Sequence, residues 1–442
     1  MIRGRRVVTP QGERAASVHV VDGTIERVAA FDAVPDDGPA VDAGALVVLP
    51  GLVDTHVHVN EPGRTEWEGF ATATRAAAAG GVTTLIDMPL NSIPPTTSVA
   101  ALEEKRAAAL GKVHVDIGFW GGAVPENLGG LAALHDAGVF GFKAFLCHSG
   151  VDEFPSMDRA SLRAAMEEIA AFDGLLIVHA EDPELLRDVA ATIQIADRVF
   201  NQYSTYLGSR PPEAEERAVE AVLRASAATG CRAHALHLSA ALCLDVLEDA
   251  DRVTVETCPH YLTFEAGEIA DGATQFKCAP PIRDAANRDR LWDGLRAGRI
   301  AAIVSDHSPS PPAMKAGSFL EAWGGIASVQ LGLRAVWTEA RKRGFALEDV
   351  SRWMSAGPAA IAGLRRKGAI AEGMDADLVL FDPDQRSRVD PTEILHRHPT
   401  TPYAGRSLDG LVVTTYVRGM EVFANGRPGD YPVGRLLSRG EA

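Results

Sequence analysis

Short apolar runs alternate with longer stretches of helical spacing through the middle of the chain. The runs predict eight β-strands, at residues 53–59, 82–89, 115–122, 141–146, 175–181, 232–239, 253–262 and 300–309. Between them, segments such as 161–172 and 213–230 have the apolar spacing of amphipathic helices. Strands that alternate with helices favour a parallel sheet, and eight such units predict a closed (β/α)8 TIM-like barrel, an α/β fold. An open doubly wound sheet is the alternative, but the GxGxxG turn typical of its first strand is absent.

The two ends of the chain have a different pattern, in which short apolar strands are broken by glycine and proline turns. Residues 1–50 show it in SVHVVDGTIERV and ALVVLPG, and the C-terminal part shows it in DADLVLFDP and LVVTTYVRGMEVFANG. We therefore predict two domains. Residues 1–50 and 368–442 together form a small β-sandwich domain, and residues 51–367 form the barrel inserted between them.

Composition narrows the class of protein. The 442 residues carry a formal net charge of −16, which argues against a nucleic-acid partner because such binding needs a basic surface. No apolar stretch follows the first residues and none is long enough to span a bilayer, so neither a signal peptide nor a membrane partner is expected. The five cysteines are dispersed without a CxxC pair, which indicates reduced thiols and a cytoplasmic location.

Histidine and aspartate residues stand at the ends of four predicted strands. His56 and His58 end the first, and residues two apart in a strand point to the same face. His179, His237 and Asp306 end the fifth, sixth and eighth strands. A single buried histidine is usually a packing residue, but barrel enzymes place their active sites where strands meet their C-terminal loops. The joint pattern predicts a metal site.

Lys143 lies between Phe142 and Ala144 in the apolar fourth strand, GFKAFL. A lysine that extends its ammonium to solvent is the ordinary interpretation. The alternative is a neutral amine that adds carbon dioxide, giving a carbamate able to bridge two cations. The residues alone do not decide between these two.

An HxH pair, a lysine, two single histidines and an aspartate in this order resemble the binuclear branch of the amidohydrolase superfamily. That branch includes dihydroorotases, hydantoinases (dihydropyrimidinases) and allantoinases, and the resemblance covers nearly the whole chain. It implies that His56, His58 and Asp306 hold one divalent ion and that His179 and His237 hold the other. It further implies that carbamylated Lys143 (N6-carboxylysine) and a hydroxide bridge the ions, and that the chain is a homodimer or homotetramer. Zinc is the first expectation, with cobalt, manganese, iron and nickel as alternatives.

Several segments, including HVHVNEPGRTEWEGF, IDMPLNSIPPT, KCAPPIRD and SDHSP, resemble the allantoinase group. This implies hydrolysis of (S)-allantoin, a cyclic ureide, to allantoate in purine breakdown. Dihydroorotases place an arginine where this chain has Asn60, and an amide suits a neutral ureido group. Arg64 keeps a dihydroorotase as an alternative. The hydantoinase alternative weakens because no tyrosine stands beside Lys143.

The implied mechanism assigns Asp306 the proton transfer, and the predicted substrate contacts are Asn60, Asn91, His260 and the loop that contains Cys278. A Cys147–His148 nucleophile is the competing chemistry, and an inactive assembly protein of the same fold is the alternative that is not an enzyme. His307 is interpreted as a packing residue or as one that contacts the metal ligands. The other histidines are interpreted as packing or surface residues: His114, His135, His234, His396 and His398.

Overall fold

A computed structural model describes residues 1–34, 39–196, 200–248 and 250–440. Its strands are, in chain order, β1 (Ile2–Thr9), β2 (Gly12–Val21), β3 (Thr24–Ala29), β4 (Val41–Asp42), β5 (Val47–Pro50), β6 (Leu52–Val57), β7 (Val82–Asp87), β8 (Asp116–Phe119), β9 (Gly121–Gly122), β10 (Phe142–Phe145), β11 (Leu175–His179), β12 (Arg232–Ala235), β13 (Val253–Thr257), β14 (Ala302–Ile303), β15 (Leu378–Arg388), β16 (Ser407–Val417), β17 (Met420–Ala424) and β18 (Arg427–Pro428).

The α-helices within the same ranges are α1 (Phe70–Ala79), α2 (Val99–Ala109), α3 (Leu131–Asp136), α4 (Arg159–Ala170), α5 (Pro183–Ala196), α6 (Tyr203–Ser209), α7 (Pro212–Thr229), α8 (Cys243–Val246), α9 (Pro259–Thr263), α10 (Ala285–Arg296), α11 (Gly332–Lys342), α12 (Leu347–Ser351) and α13 (Gly357–Ala362). A π-helical turn, Arg352–Ala356, joins the last two. Short 3-10 turns occur at Pro125–Asn127, Ala266–Glu268, Thr274–Phe276, Pro312–Lys315 and Pro391–Glu393.

The central strands form a closed parallel barrel. One sheet runs β6-β7-β8 and another runs from β9 to β14 in chain order. A parallel bridge between Val57 and His307 joins the first strand to the last, and the Phe140 N–H donates to the Phe119 carbonyl at 3.1 Å across the other seam. Because β8 and β9 are one strand interrupted at Trp120, the described residues give the eight predicted barrel strands. The TIM-barrel prediction is confirmed.

Local sequence accounts for the helices that surround the barrel. Helix α4 buries Leu162, Ala165, Met166 and Ile169, and this spacing of three and four residues places them on one face. The Asp158 side chain caps its first turn by accepting from the Ser161 N–H at 2.8 Å. Helix α7 begins at a proline and ends at Gly230, which has a φ of 72° and so ends the helix where a left-handed residue is needed.

The two ends of the chain build one nine-stranded sheet in the described part of the protein. Its order is β18-β17-β16-β15-β5-β1-β2-β3, with β4 paired to β1. Strand β5 pairs with β1 on one side and β15 on the other, and Gly51 leads from it directly into the barrel. A β-carbon at Gly51 would lie 2.2 Å from the Thr83 hydroxyl, so only glycine fits. The predicted β-rich unit is therefore present.

The C-terminal residues return to the barrel. The Gly434 N–H donates to the Val113 carbonyl at 2.9 Å and the Leu437 N–H donates to the Ile117 carbonyl at 2.7 Å. The last part of the range predicted as the small domain, 368–442, thus contacts a barrel strand, and the exact domain division stays a proposal. None of the helices in the described ranges is both long and apolar enough to cross a membrane.

Candidate metal centre

Six side chains from five different strands of the barrel meet in one cavity of about 820 Å³. His56 lies in β6, Lys143 in β10 and His179 at the end of β11. Three more follow within three residues of a strand end, namely His58, His237 and Asp306. The structure therefore brings together all six residues that the sequence predicts as metal ligands, at the carboxyl ends of the strands.

Asp306 lies between the two histidines of the HxH pair. Its Oδ1 atom is 3.3 Å from His56 Nε2 and 3.6 Å from His58 Nε2. One nitrogen or oxygen atom from each of the three residues lies within 4.8 Å of the others, so this group could hold a metal ion. Burial and the nearby Lys143 keep the pKa of His56 well below its usual value, and the neutral ring that results is the form that ligates metals.

His179 and His237 form the second half of the cluster, next to His56. His179 Nδ1 lies 2.9 Å from His237 Nε2, so two imidazole nitrogens point at the same small space. The other ring nitrogen of His179 lies 2.7 Å from Glu181 Oε2, and Glu181 also pairs with Arg210. Burial opposes ionisation of Glu181, but Arg210 and His179 lower its pKa to about 2. The Glu181 carboxylate occupies Nε2 of His179, so Nδ1 is the ring nitrogen that is left for a metal ion.

Lys143 is 1% exposed, and its Nζ atom lies 4.4 Å from the centre of the Phe145 ring. Within the described residues no carboxylate forms a salt bridge with it. Burial lowers its pKa to about 7, although Asp306 and Glu256 act in the opposite direction. A lysine with this pKa is partly the neutral amine near neutral pH, and its burial fits the carbamate interpretation better than the snorkelling one.

The donor set suits divalent transition metals. Imidazole nitrogens and carboxylate oxygens are typical ligands of zinc and its neighbours. His237 Nδ1 is buried without a hydrogen-bond partner, and its other nitrogen faces His179. The residues present therefore fit metal binding.

The predicted substrate contacts divide into two groups. Asn91 lines the cavity, and its amide nitrogen lies 3.5 Å from His58 Nδ1. Asn60, His260 and Cys278 are buried and do not line it. The carbonyl of Cys278 accepts from the Tyr206 hydroxyl at 2.6 Å. Burial lowers the pKa of His260 to about 4.

Two alternatives from the sequence find little support in the geometry. Arg64 forms a salt bridge with Glu153 and donates to the Asn91 carbonyl at 2.8 Å. The Glu153 carboxylate, which does not line the cavity, therefore already compensates the positive charge of Arg64. Burial raises the pKa of the Cys147 thiol to about 12, so the thiol stays protonated. The His148 side chain is 72% exposed and lies beside Asp152 rather than activating the cysteine.

Sequence reasoning missed the residues that orient the ligands. Glu256 lies 2.7 Å from His56 Nδ1, and Glu181 holds His179 as described above. Their signal was a charged residue inside or just after an apolar strand, in VTVETC and LLIVHAE. Two lysines were also missed: Lys277 lines the cavity and donates to the Ala322 carbonyl, and Lys315 donates to the Trp323 carbonyl at 2.8 Å.

Comparisons with known proteins identify the family of the chain. The family model described as the amidohydrolase family matches residues 47–422. A curated relative from Streptomyces avermitilis, named allantoinase, is 54% identical, and the alignment covers 99% of this chain and 98% of the relative. A second allantoinase, from Arabidopsis thaliana, is 44% identical over 98% of this chain and 90% of its own. Among solved structures, an L-hydantoinase (dihydropyrimidinase) from Arthrobacter aurescens has a TM-score of 0.93 at 30% identity and covers 99% of each chain. The chain therefore belongs to the amidohydrolase family.

Proposed function

We propose that this chain is an allantoinase that hydrolyses the cyclic amide of (S)-allantoin to allantoate. The observation that carries the proposal is near full-length identity of 54% and 44% to relatives of that name. The cavity is consistent with it. Arg64, the cation that a dihydroorotase alternative needed for a substrate carboxylate, is matched by Glu153 instead. Phe145, rather than a tyrosine, faces Lys143.

The proposed ligand assignment follows the two halves of the centre. His56, His58 and Asp306 hold one divalent ion, and His179 and His237 hold the other. Lys143 would join them as a carbamate, formed when its neutral Nζ bonds to the carbon of carbon dioxide and releases a proton. Divalent ions held there lower the pKa of a shared water and polarise a substrate carbonyl. The identity of the metal, with zinc as the first expectation, is part of the proposal.

Asp306 is the proposed proton carrier. Its Oδ1 atom lies within 3.6 Å of both His56 and His58, so the carboxylate stands beside the proposed metal ligands. It would accept the proton of the attacking water and deliver it to the ring nitrogen that departs when the amide C–N bond breaks. Phe145, Leu320 and Trp323 line the cavity with apolar surface.

Parallel turnover assays test this function. Protein prepared with bicarbonate and zinc is offered allantoin, dihydroorotate and dihydrouracil, and ring opening is measured for each. Opening of allantoin at a kcat/KM well above the others is the expected result. Preferential opening of dihydroorotate or dihydrouracil would overturn the substrate assignment but keep the hydrolase. Absence of turnover with a full complement of metal would instead favour the assembly-protein alternative. The predicted cytoplasmic location and the homodimer or homotetramer stay predictions.

A further inference from the structure

A row of four polar side chains runs through the barrel interior from its amino-terminal opening to the metal centre. Thr254 stands at the start of β13 and is exposed, whereas His234, Glu256 and His56 are each 1% exposed. We propose that His234 and Thr254 are positioning residues, which fix the ring of His56 for metal binding by holding Glu256. This inference rests on the metal site of the proposed function.

The row is continuous in the structure. Thr254 Oγ1 lies 2.7 Å from His234 Nδ1, His234 Nε2 lies 3.0 Å from Glu256 Oε2, and Glu256 Oε1 lies 2.7 Å from His56 Nδ1. Thr254 and Glu256 are two residues apart in one strand and so point to the same face. His234 is paired with Thr254 in register on the neighbouring strand β12. Strands β6 and β13 are separated by β14, so the contact from Glu256 to His56 crosses the barrel interior.

The donors and acceptors can be assigned along the whole row. A carboxylate only accepts hydrogen bonds, so His56 Nδ1 and His234 Nε2 must both carry hydrogen and donate to Glu256. His56 then keeps a lone pair on Nε2, the atom that faces Asp306. A neutral His234 that donates through Nε2 has an acceptor at Nδ1, which the Thr254 hydroxyl satisfies by donating. The Glu256 carboxylate thereby fixes the tautomers of both histidines, and the Thr254 hydroxyl satisfies the remaining nitrogen of His234.

The burial of these groups argues against simple packing. Barrel interiors are usually filled by branched apolar side chains, and a buried polar group that loses its partner costs about 1–3 kcal/mol. The second oxygen of Glu256 has His234 as its side-chain partner. Without His234, the Glu256 carboxylate would be free to rotate away from His56. Partners of ligating histidines typically change metal affinity by about 10–100-fold when they are removed.

The experiment is a zinc titration of the full chain, in competition with a chromophoric chelator, that resolves the two binding steps. The variants are His234→Phe, Thr254→Val and Thr254→Ser. We expect His234→Phe to weaken one step by about 10–100-fold and Thr254→Val to weaken the same step by a few-fold. Thr254→Ser keeps the hydroxyl and should match the wild type. The second step, which uses His179 and His237, serves as the internal reference.

His114→Phe is the matched control, because His114 is also buried but pairs with Arg75 outside the barrel interior. Equal weakening of both steps, or of the control, would mean a general structural effect and would overturn the inference. Unchanged affinity in both His234→Phe and Thr254→Val would also overturn it. If His234→Phe does not fold, the comparison of Thr254→Val with Thr254→Ser decides. If the wild type opens allantoin and binds zinc, and all variants bind zinc as tightly as the wild type, this inference alone is refuted. If the wild type does not bind zinc, the proposed metal centre is refuted as well.

Discussion

Replacing Lys367 by methionine is expected to destabilise the fold by several kcal/mol without touching the metal centre. The ammonium of Lys367 lies 2.6 Å from Asp116, 2.8 Å from Asp375 and 2.9 Å from Asp377. Asp116 opens the barrel strand β8, whereas Asp375 and Asp377 precede β15 of the end sheet. One side chain, itself 1% exposed, therefore ties the barrel to the sheet.

The size of the stability loss in Lys367→Met depends on which carboxylates lose their partner. Asp116 keeps Arg418, and Asp375 keeps Arg366. Among the described residues, Asp377 keeps only the backbone N–H of Arg418, at 2.8 Å, and it is 3% exposed. Breaking a buried ion pair by removing one partner costs about 3–5 kcal/mol, and this is the loss we expect. The matched control is Lys342→Met, since Lys342 is 56% exposed and its pair with Glu339 is worth at most about 1 kcal/mol.

Urea unfolding of the variants at several pH values measures the loss in free energy of unfolding and shows whether the ionisation of Asp377 causes it. Burial raises the pKa of Asp377 and Lys367 opposes this, so removal of the lysine raises that pKa further in the folded state. A carboxyl group whose folded pKa is raised favours the folded state below its unfolded value of about 4 and loses that contribution as the pH rises through the folded value. The deficit of Lys367→Met should thus grow as the pH rises. A deficit at pH 8 no larger than that of Lys342→Met would refute the reasoning.

Three further predictions concern the cavity. Lys143→Ala should lose turnover and regain part of it with a short-chain carboxylic acid, which supplies the missing carboxylate; loss without rescue would contradict the carbamate role. Cys147→Ser should retain most of its turnover, because the thiol is protonated with a pKa of about 12; abolished turnover with zinc retained would support a cysteine nucleophile. Lys315→Met should raise KM for allantoin by up to roughly tenfold and change kcat less, because the Lys315 amine donates to the Trp323 carbonyl at 2.8 Å and to the Gly325 carbonyl at 2.5 Å and so holds the cavity wall. An unchanged KM would refute that role.

The fold was largely predictable because its strands are short apolar runs and its helices are amphipathic. The residues at which the strands end were not predictable in this way. The seventh strand was predicted to reach residue 262 but ends at Thr257, because Pro259 begins helix α9. The eighth was predicted over 300–309, yet β14 covers only Ala302–Ile303, and Asp306 has a φ of 44°. Apolar periodicity continues past a strand end whenever the following turn is buried, so it does not mark where the backbone leaves the strand.

The position of the strand ends, which the sequence does not mark, also limits what can be predicted about the site. His234 and His237 are three residues apart, and in a regular strand such residues point to opposite faces. A sequence interpretation that places His237 in the barrel interior must then place His234 outside it, as a packing or surface residue. In the structure β12 ends at Ala235 and His237 has a φ of 37°, which turns its side chain back toward the interior. Both histidines therefore face the barrel axis, one at the metal centre and one beneath it. Residues that bind a cofactor stand out by type and position, whereas residues that orient them depend on contacts across the barrel, which no local pattern encodes.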